Sequence, residues 1–209
     1  NYDLPAKFDR LSWTEAFDLY GSDKPDLRFD LKMQDAAFMA DLSDFVAFKA
    51  GAANADPTLP RHKRSGLKAL VVKNVADKYS RKMIEALESK AKLYKAKGLA
   101  WMKVASTGSA TTDIAFEGGI SKFYTGKEAE ICEKLGAEKN DLLLFVSDEN
   151  WQTACVAMGA VRSQLGKDLN LYNNDDEFHF VWIIDFPYFA FNEEENHWET
   201  EHHMFTLPQ

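Results

Sequence analysis

Gly66-Leu-Lys-Ala-Leu-Val-Val-Lys-Asn74 is a run of β-type residues closed at one end by Gly and at the other by Asn, and it reads as a strand. From Ser80 the period changes. Ser80 stands where a helix needs its N-cap, and Met83, Ile84, Leu87, Ala91 and Tyr94 recur at three- and four-residue spacing, which predicts a helix of about sixteen residues. Arg81, Lys82, Lys90, Lys92 and Lys95 fall on the opposite face. Gly98 is placed to end that helix, and Leu99 to Val104 alternates as a second strand.

The same order recurs downstream. Thr125-Gly-Lys-Glu128 has the form of a capping box opening a helix to Leu135-Gly136, and Asp141-Leu-Leu-Leu-Phe-Val-Ser147 is the next strand. Ala154, Val156, Ala157, Ala160, Val161 and Leu165 make Trp151 to Leu165 an amphipathic helix, with Gly166 as its stop. Strands and helices alternating without a Gly-rich phosphate fingerprint indicate α+β layers rather than a doubly wound nucleotide-binding sheet. GxxxxGK[ST], GxSxG and HExxH do not occur.

Upstream, Ser12-Trp-Thr-Glu15 is a capping box for a helix from Trp13 to about Tyr20, stopped by Gly21. Ser22-Asp23-Lys24-Pro25-Asp26 has tight-turn chemistry. Phe38 to Ala52 reads as a short helix followed by a strand around Val46 to Lys49, and Asn54 to Gly66, with Pro57 and Pro60, as a loop. Near the other end, Phe178 to Asp185 is β-rich and apolar enough for a strand buried on both faces, ended by Pro187. Phe189 to Phe191 and Trp198 to Phe205 flank Asn192-Glu-Glu-Glu-Asn196, which fits a polar-tipped hairpin.

The 209 residues carry 45% hydrophobic residues, an ordinary globular composition outside the disordered class. No stretch reaches the roughly 18 apolar residues of a spanning helix, and the first residues lack the pattern of a signal peptide. The formal charge of -8 is unevenly distributed. Residues 61–103 alone carry +10, whereas residues 168–209 contain ten carboxylates and no Lys or Arg. The basic segment is either a solvated face or a patch suited to nucleic-acid phosphates.

Cys132 and Cys155 lie in separate apolar patterns and form no metal or redox motif; buried reduced thiols, suited to a reducing cytoplasm, are expected. His197, Glu199, Glu201, His202 and His203 form the densest cluster of chemically capable side chains. Neighbouring histidines on a strand point to opposite faces, and only His197 and His203 are spaced to share one, so a tetrahedral zinc site is not expected. One imidazole can still contact a small charged substrate, because neutral His is both donor and acceptor. The Asp23 to Asp26 carboxylates belong to a turn, and Trp182, Phe186, Tyr188, Phe189 and Phe191 read as core.

Three stretches carry a resemblance. Tyr20-Gly-Ser-Asp-Lys-Pro-Asp-Leu-Arg28, Lys97-Gly-Leu-Ala-Trp101 with the Asp141 to Phe145 strand, and Asp185-Phe-Pro with His202-His203-Met-Phe-Thr-Leu-Pro208 resemble, in order and spacing, bacterial-type aspartyl-tRNA synthetase. The resemblance covers essentially the whole chain. It implies that residues 35–175 are the GAD insertion domain, a two-layer α+β unit with an antiparallel sheet, and that 1–34 and 176–209 are flanking pieces of the class II antiparallel-sheet catalytic domain.

Carried over to this sequence, the family's aspartate-contacting histidine is His202, with His203 secondary and Met204 standing where the family usually has Pro. The resemblance also implies ATP and Mg²⁺ for the intact enzyme, aspartate and tRNA as its partners, a homodimeric parent, and no aminoacylation by this portion alone. Arg61, Lys63, Arg64, Arg81, Lys82, Lys90 and Lys92 are then the candidates for tRNA-phosphate contact. The alternative is a free-standing GAD-type module that binds RNA or protein without catalysis. A third reading, a metal hydrolase built on His197, His202 and His203, is the one a bound metal would support.

Overall fold

The computed structural model describes residues 7–106, 114–172, 178–192 and 194–202. In chain order these form β1 (Asp9–Ser12), α1 (Trp13–Tyr20), β2 (Gln34–Asp35), α2 (Val46–Ala52), β3 (Gly66–Val72), α3 (Arg81–Lys92), β4 (Ala100–Ser106), β5 (Ile114–Glu117), α4 (Glu128–Leu135), β6 (Leu142–Asp148), α5 (Trp151–Asp168), β7 (Val181–Ile184), β8 (Phe189–Asn192) and β9 (His197–Thr200).

The centre is a five-stranded sheet in the order β2-β3-β6-β4-β5, antiparallel throughout. β3 and β6 pair from Gly66 opposite Asp148 to Val72 opposite Leu142, and every residue of β3 is buried. The two-residue period of a strand sends their side chains to both sides. Leu70, Val72, Leu142, Leu144 and Val146 meet Trp13, Phe17, Ile84, Leu87, Ala91, Trp151, Met158 and Leu165 from α1, α3 and α5. Leu67, Ala69, Val71, Leu143 and Phe145 meet Phe48, Ile131, Cys132 and Leu135 from α2 and α4. Helices therefore cover both faces, and the α+β unit has three layers where two were expected.

Several boundaries also differ, each for a local reason. Val46 to Lys49 belongs to a helix, not a strand: Phe48 and Gly51, one turn apart, are buried, and Val46 is 79% exposed. The basic helix α3 is twelve residues long, because Lys95 takes a left-handed φ of 69° before Gly98 is reached, and Met83 and Tyr94 are left exposed. Thr125 does not cap α4: Gly126 has φ 80°, the cap is Lys127 without a side-chain bond, and Thr125 Oγ1 donates to Lys122 O. α5 is capped by Asn150 and runs through Gly166, whose missing Cβ leaves room for the Phe29 ring.

The flanks hold smaller sheets. β1 and β7 pair in parallel, and β8 and β9 form the expected antiparallel hairpin. β7 is four residues long and only partly covered, so the strand buried on both faces is not found. Trp182, Tyr188 and Phe189 are exposed rather than core, and Phe186 and Phe191 are half-buried.

α1 follows its capping box, with Ser12 Oγ accepting from Glu15 N and the Glu15 carboxylate accepting from Ser12 N. Its end is fixed by backbone contact. Gly21 has φ 72°, and a Cβ there would lie 2.2 Å from Cys155 O and 2.7 Å from Gly159 Cα. The end of α1 thus lies directly on the α5 backbone, and Gly21→Ala adds left-handed strain of about 1–2 kcal/mol to overpacking of similar size. Urea unfolding is expected to show a loss of about 3 kcal/mol, and a loss below about 1 kcal/mol would contradict the close packing.

Candidate functional site

The C-terminal hairpin and the 61–64 segment meet in one place. His202, half-buried just beyond β9, has Nδ1 2.8 Å from Pro187 O, and its ring lies edge-on to Phe186 at 4.9 Å. A carbonyl oxygen can only accept, so Nδ1 carries the hydrogen and Nε2 of the neutral ring is left with a lone pair. The next carbonyl, Tyr188 O, accepts from Glu201 N at 2.8 Å, and the one after it, Phe189 O, accepts from Arg61 Nη2 at 3.3 Å. Arg61 also grips Glu201 with both terminal nitrogens, Nη1 to Oε1 at 3.1 Å and Nη2 to Oε2, and its guanidinium lies 4.8 Å from the Trp13 ring. Beside it, His62 packs on Phe191 at 4.7 Å and meets Trp198 edge-on at 5.2 Å.

Arg61 is therefore turned toward the hairpin and not toward solvent. Arg64 is also turned inward: it is 8% exposed, lies 4.5 Å over the Trp151 ring and has its nearest carboxylate in Asp18 at 4.0 Å. The remaining candidates of the basic segment stay at the surface. Lys63, Lys82 and Lys92 are exposed, as is Arg81; Lys90 is half-buried with its ammonium 5.8 Å from the Tyr94 ring. Arg81 and Lys92 pair with Glu85 and Glu88 one turn away, whereas Lys63, Lys82 and Lys90 have no ion-pair partner among the described residues. A cleft of about 390 Å³ lined by Tyr94, Lys95, Asn150 and Gln152 adjoins one of about 140 Å³ lined by Arg61, His62, Asn150, Gln152 and Phe191.

His197 does not join His202. It lies between Glu195, 3.5 Å from Nδ1, and Glu199, 3.4 Å from Nε2, on an exposed strand. His203 lies outside the described residues. The Ser22 to Asp26 turn has a structural role: Asp26 takes a forked pair of bonds from Arg28 at 2.9 and 2.8 Å, and that guanidinium holds its carboxyl below the usual range. Cys132 and Cys155 are buried free thiols, pushed by burial to about 11 and about 12, which keeps them protonated and unreactive at neutral pH.

Sequence reasoning missed the polar groups that hold the flanks. Arg162, 1% exposed, donates to Leu31 O at 2.6 Å, Asp26 O at 2.9 Å and Phe29 O at 3.0 Å, and burial lowers its pKa. A signal existed, because Arg162 falls on the apolar face of α5 between Met158 and Leu165, where a charge requires a partner. Asp18 carried no comparable signal. Its role depends on Lys68 and Trp151, 50 and 133 residues away.

A family model described as GAD domain matches residues 62–158. The aspartate–tRNA(Asp/Asn) ligase of Treponema denticola is 57% identical over 209 residues, which is 100% of this chain and 33% of that protein. The enzyme of the same name from Treponema pallidum (strain Nichols) is 42% identical over 207 residues, 99% of this chain and 32% of that protein. The aspartate–tRNA ligase of Streptococcus pneumoniae serotype 19F is 41% identical over 207 residues, with the same shares. The chain thus spans about a third of the length of the curated relatives it matches. The chain is thus similar along its whole length to a part of these ligases, and the GAD-domain match lies within it.

Proposed function

We propose that this chain serves as the insert-bearing third of an aspartate–tRNA ligase, the enzyme that joins aspartate to tRNA through an aspartyl-adenylate. The observation that carries the reading is that the relatives match both flanks as well as the GAD region, at 57% identity over all 209 residues in one case. A free-standing module, the alternative, has no use for the Tyr20 to Arg28 and His202 to Pro208 stretches. The flanks also have the physical character of an incomplete sheet. β1 and β7 are a two-stranded parallel ribbon with Phe178, Phe180 and Trp182 exposed, and parallel strands are normally covered on both faces. Residues 1–34 and 176–209 fit as pieces of the class II catalytic domain, with 35–175 as the insertion between them.

In this reading His202 contacts aspartate. With Nδ1–H committed to Pro187 O, Nε2 accepts a hydrogen bond from a donor such as the substrate's α-ammonium. Residues 168–209 hold no Lys or Arg, so the segment that carries His202 brings no cation of its own to a triphosphate, and in this reading ATP and Mg²⁺ would be held by the rest of the ligase. The buried free thiols suit a reducing compartment. The complete ligase, a homodimer in this reading, is expected to catalyse aspartate-dependent exchange of pyrophosphate into ATP, with none from the 209-residue chain alone. Absence of exchange by the complete protein would contradict the reading.

Contact with tRNA would fall to Lys63, Lys82 and Lys90, with Arg81 and Lys92 able to exchange their weak exposed pairs for phosphate. In the complete ligase, Lys63→Ala and Lys82→Ala should each lower the salt slope of tRNA binding by about one. An unchanged slope in both would remove the phosphate contact.

A further inference from the structure

We propose that Arg61, a residue of the inserted segment, is a positioning residue for aspartate binding, acting on His202 through Glu201. The inference rests on the reading of His202 as the aspartate contact. Three consecutive carbonyls, those of Pro187, Tyr188 and Phe189, are taken in turn by the His202 ring, the Glu201 backbone and the Arg61 guanidinium. Arg61 closes the set by holding the Glu201 carboxylate with a fork, and the two side chains are only 21% and 20% exposed. Partial withdrawal from water strengthens such a pair and leaves either member costly to strip of the other.

The clasp has a rigid base. Arg61 opens a turn in which Lys63 N donates to Pro60 O and Arg64 N to Arg61 O, and Trp151 N, at the start of α5, donates to Arg64 O at 2.8 Å. His62 wedged against Phe191 and Trp198 prevents the hairpin from sliding along that base. Without Arg61, the Glu201 carboxylate is left half-buried, on a hairpin that already carries Glu195 and Glu199, and it relaxes outward. Glu201 immediately precedes His202, so that movement turns the imidazole away from Pro187 O. The GAD insert thereby sets the affinity of the amino-acid site although no insert residue need touch aspartate.

The test is pyrophosphate exchange by the complete ligase, with KM for aspartate and for ATP measured separately. Arg61→Ala is expected to raise the aspartate KM about tenfold while the ATP KM stays within about twofold. Arg61→Lys, which keeps the charge but not the fork, should recover part of the loss. Glu201→Ala should match Arg61→Ala, and the double variant should be no worse than either single one. His202→Ala separates the premise from the inference. If it leaves the aspartate KM unchanged, the reading of His202 fails. If it raises that KM while Arg61→Ala does not, or Arg61→Ala raises both KM values together, the positioning role is overturned. Should Arg61→Ala fail to fold, Glu201→Gln is read instead, with a several-fold rise in aspartate KM expected and no rise contradicting the proposal.

Discussion

The carboxylate of Asp18 joins parts of the chain that are far apart in sequence. Lys68, within the fully buried strand β3, is 3% exposed, and its ammonium reaches Asp18 Oδ1 at 2.7 Å; Trp151 Nε1 donates to the same oxygen at 2.8 Å. A buried ammonium without a partner is among the costliest features a core can contain. Asp35 Oδ2 on β2 lies farther from this ammonium, at 3.8 Å, so Asp18 is its hydrogen-bonded carboxylate and favours α1 lying across the sheet beside α5. Once α1 is there, Gly21 meets Gly159 backbone to backbone, and the chain leaving α1 passes within reach of Arg162, which takes the carbonyls of Asp26, Phe29 and Leu31. The Asp18 contact thus sets the course of the whole N-terminal flank.

Packing is continuous across residue 34. Trp13, Phe17, Phe29, Leu31 and Met33 share one core with Leu70, Leu87, Trp151 and Met158. The C-terminal hairpin is attached differently, by Arg61 and His62 reaching out from the basic segment to Glu201, Phe191 and Trp198. The N-terminal segment is buried against the five-stranded sheet, and the C-terminal hairpin is held by a polar clasp beside the candidate aspartate contact. On the proposed reading, a clasp of that kind lets the segment that carries Arg61 influence a site it does not line.

What was legible in the sequence follows from the range of the interactions involved. The Ser12 and Ser80 caps and the Gly66 to Val72 strand depend on neighbours a few residues away, and they appear as read. The hairpin over Asn192 to Asn196 does too. Val46 misled because a Val-x-Phe alternation on a short helix resembles a strand, and the buried pair Phe48 and Gly51 is recognisable only once the sheet beneath is known. The exposed Trp182 and Phe189 misled in the opposite direction, since apolar residues signal burial without naming the partner. The site was half legible. His202 came from a resemblance, but the partners that orient it, Pro187 O, Glu201 and Arg61, are brought together only by the fold, and the charge count with the resemblance made Arg61 one candidate among several for phosphate contact.

The N-terminal segment and the five-stranded sheet form one folding unit, locked by Asp18, Lys68 and Trp151. Native-state hydrogen exchange on the 209-residue chain tests it directly. The amides of Gly21 and Met33, bonded to Phe17 O and Leu19 O, should open with the same free energy, within about 1 kcal/mol, as those of the paired strands β3 and β6. Exchange of Gly21 and Met33 at the rate of an unstructured peptide, with β3 and β6 still protected, would contradict the account.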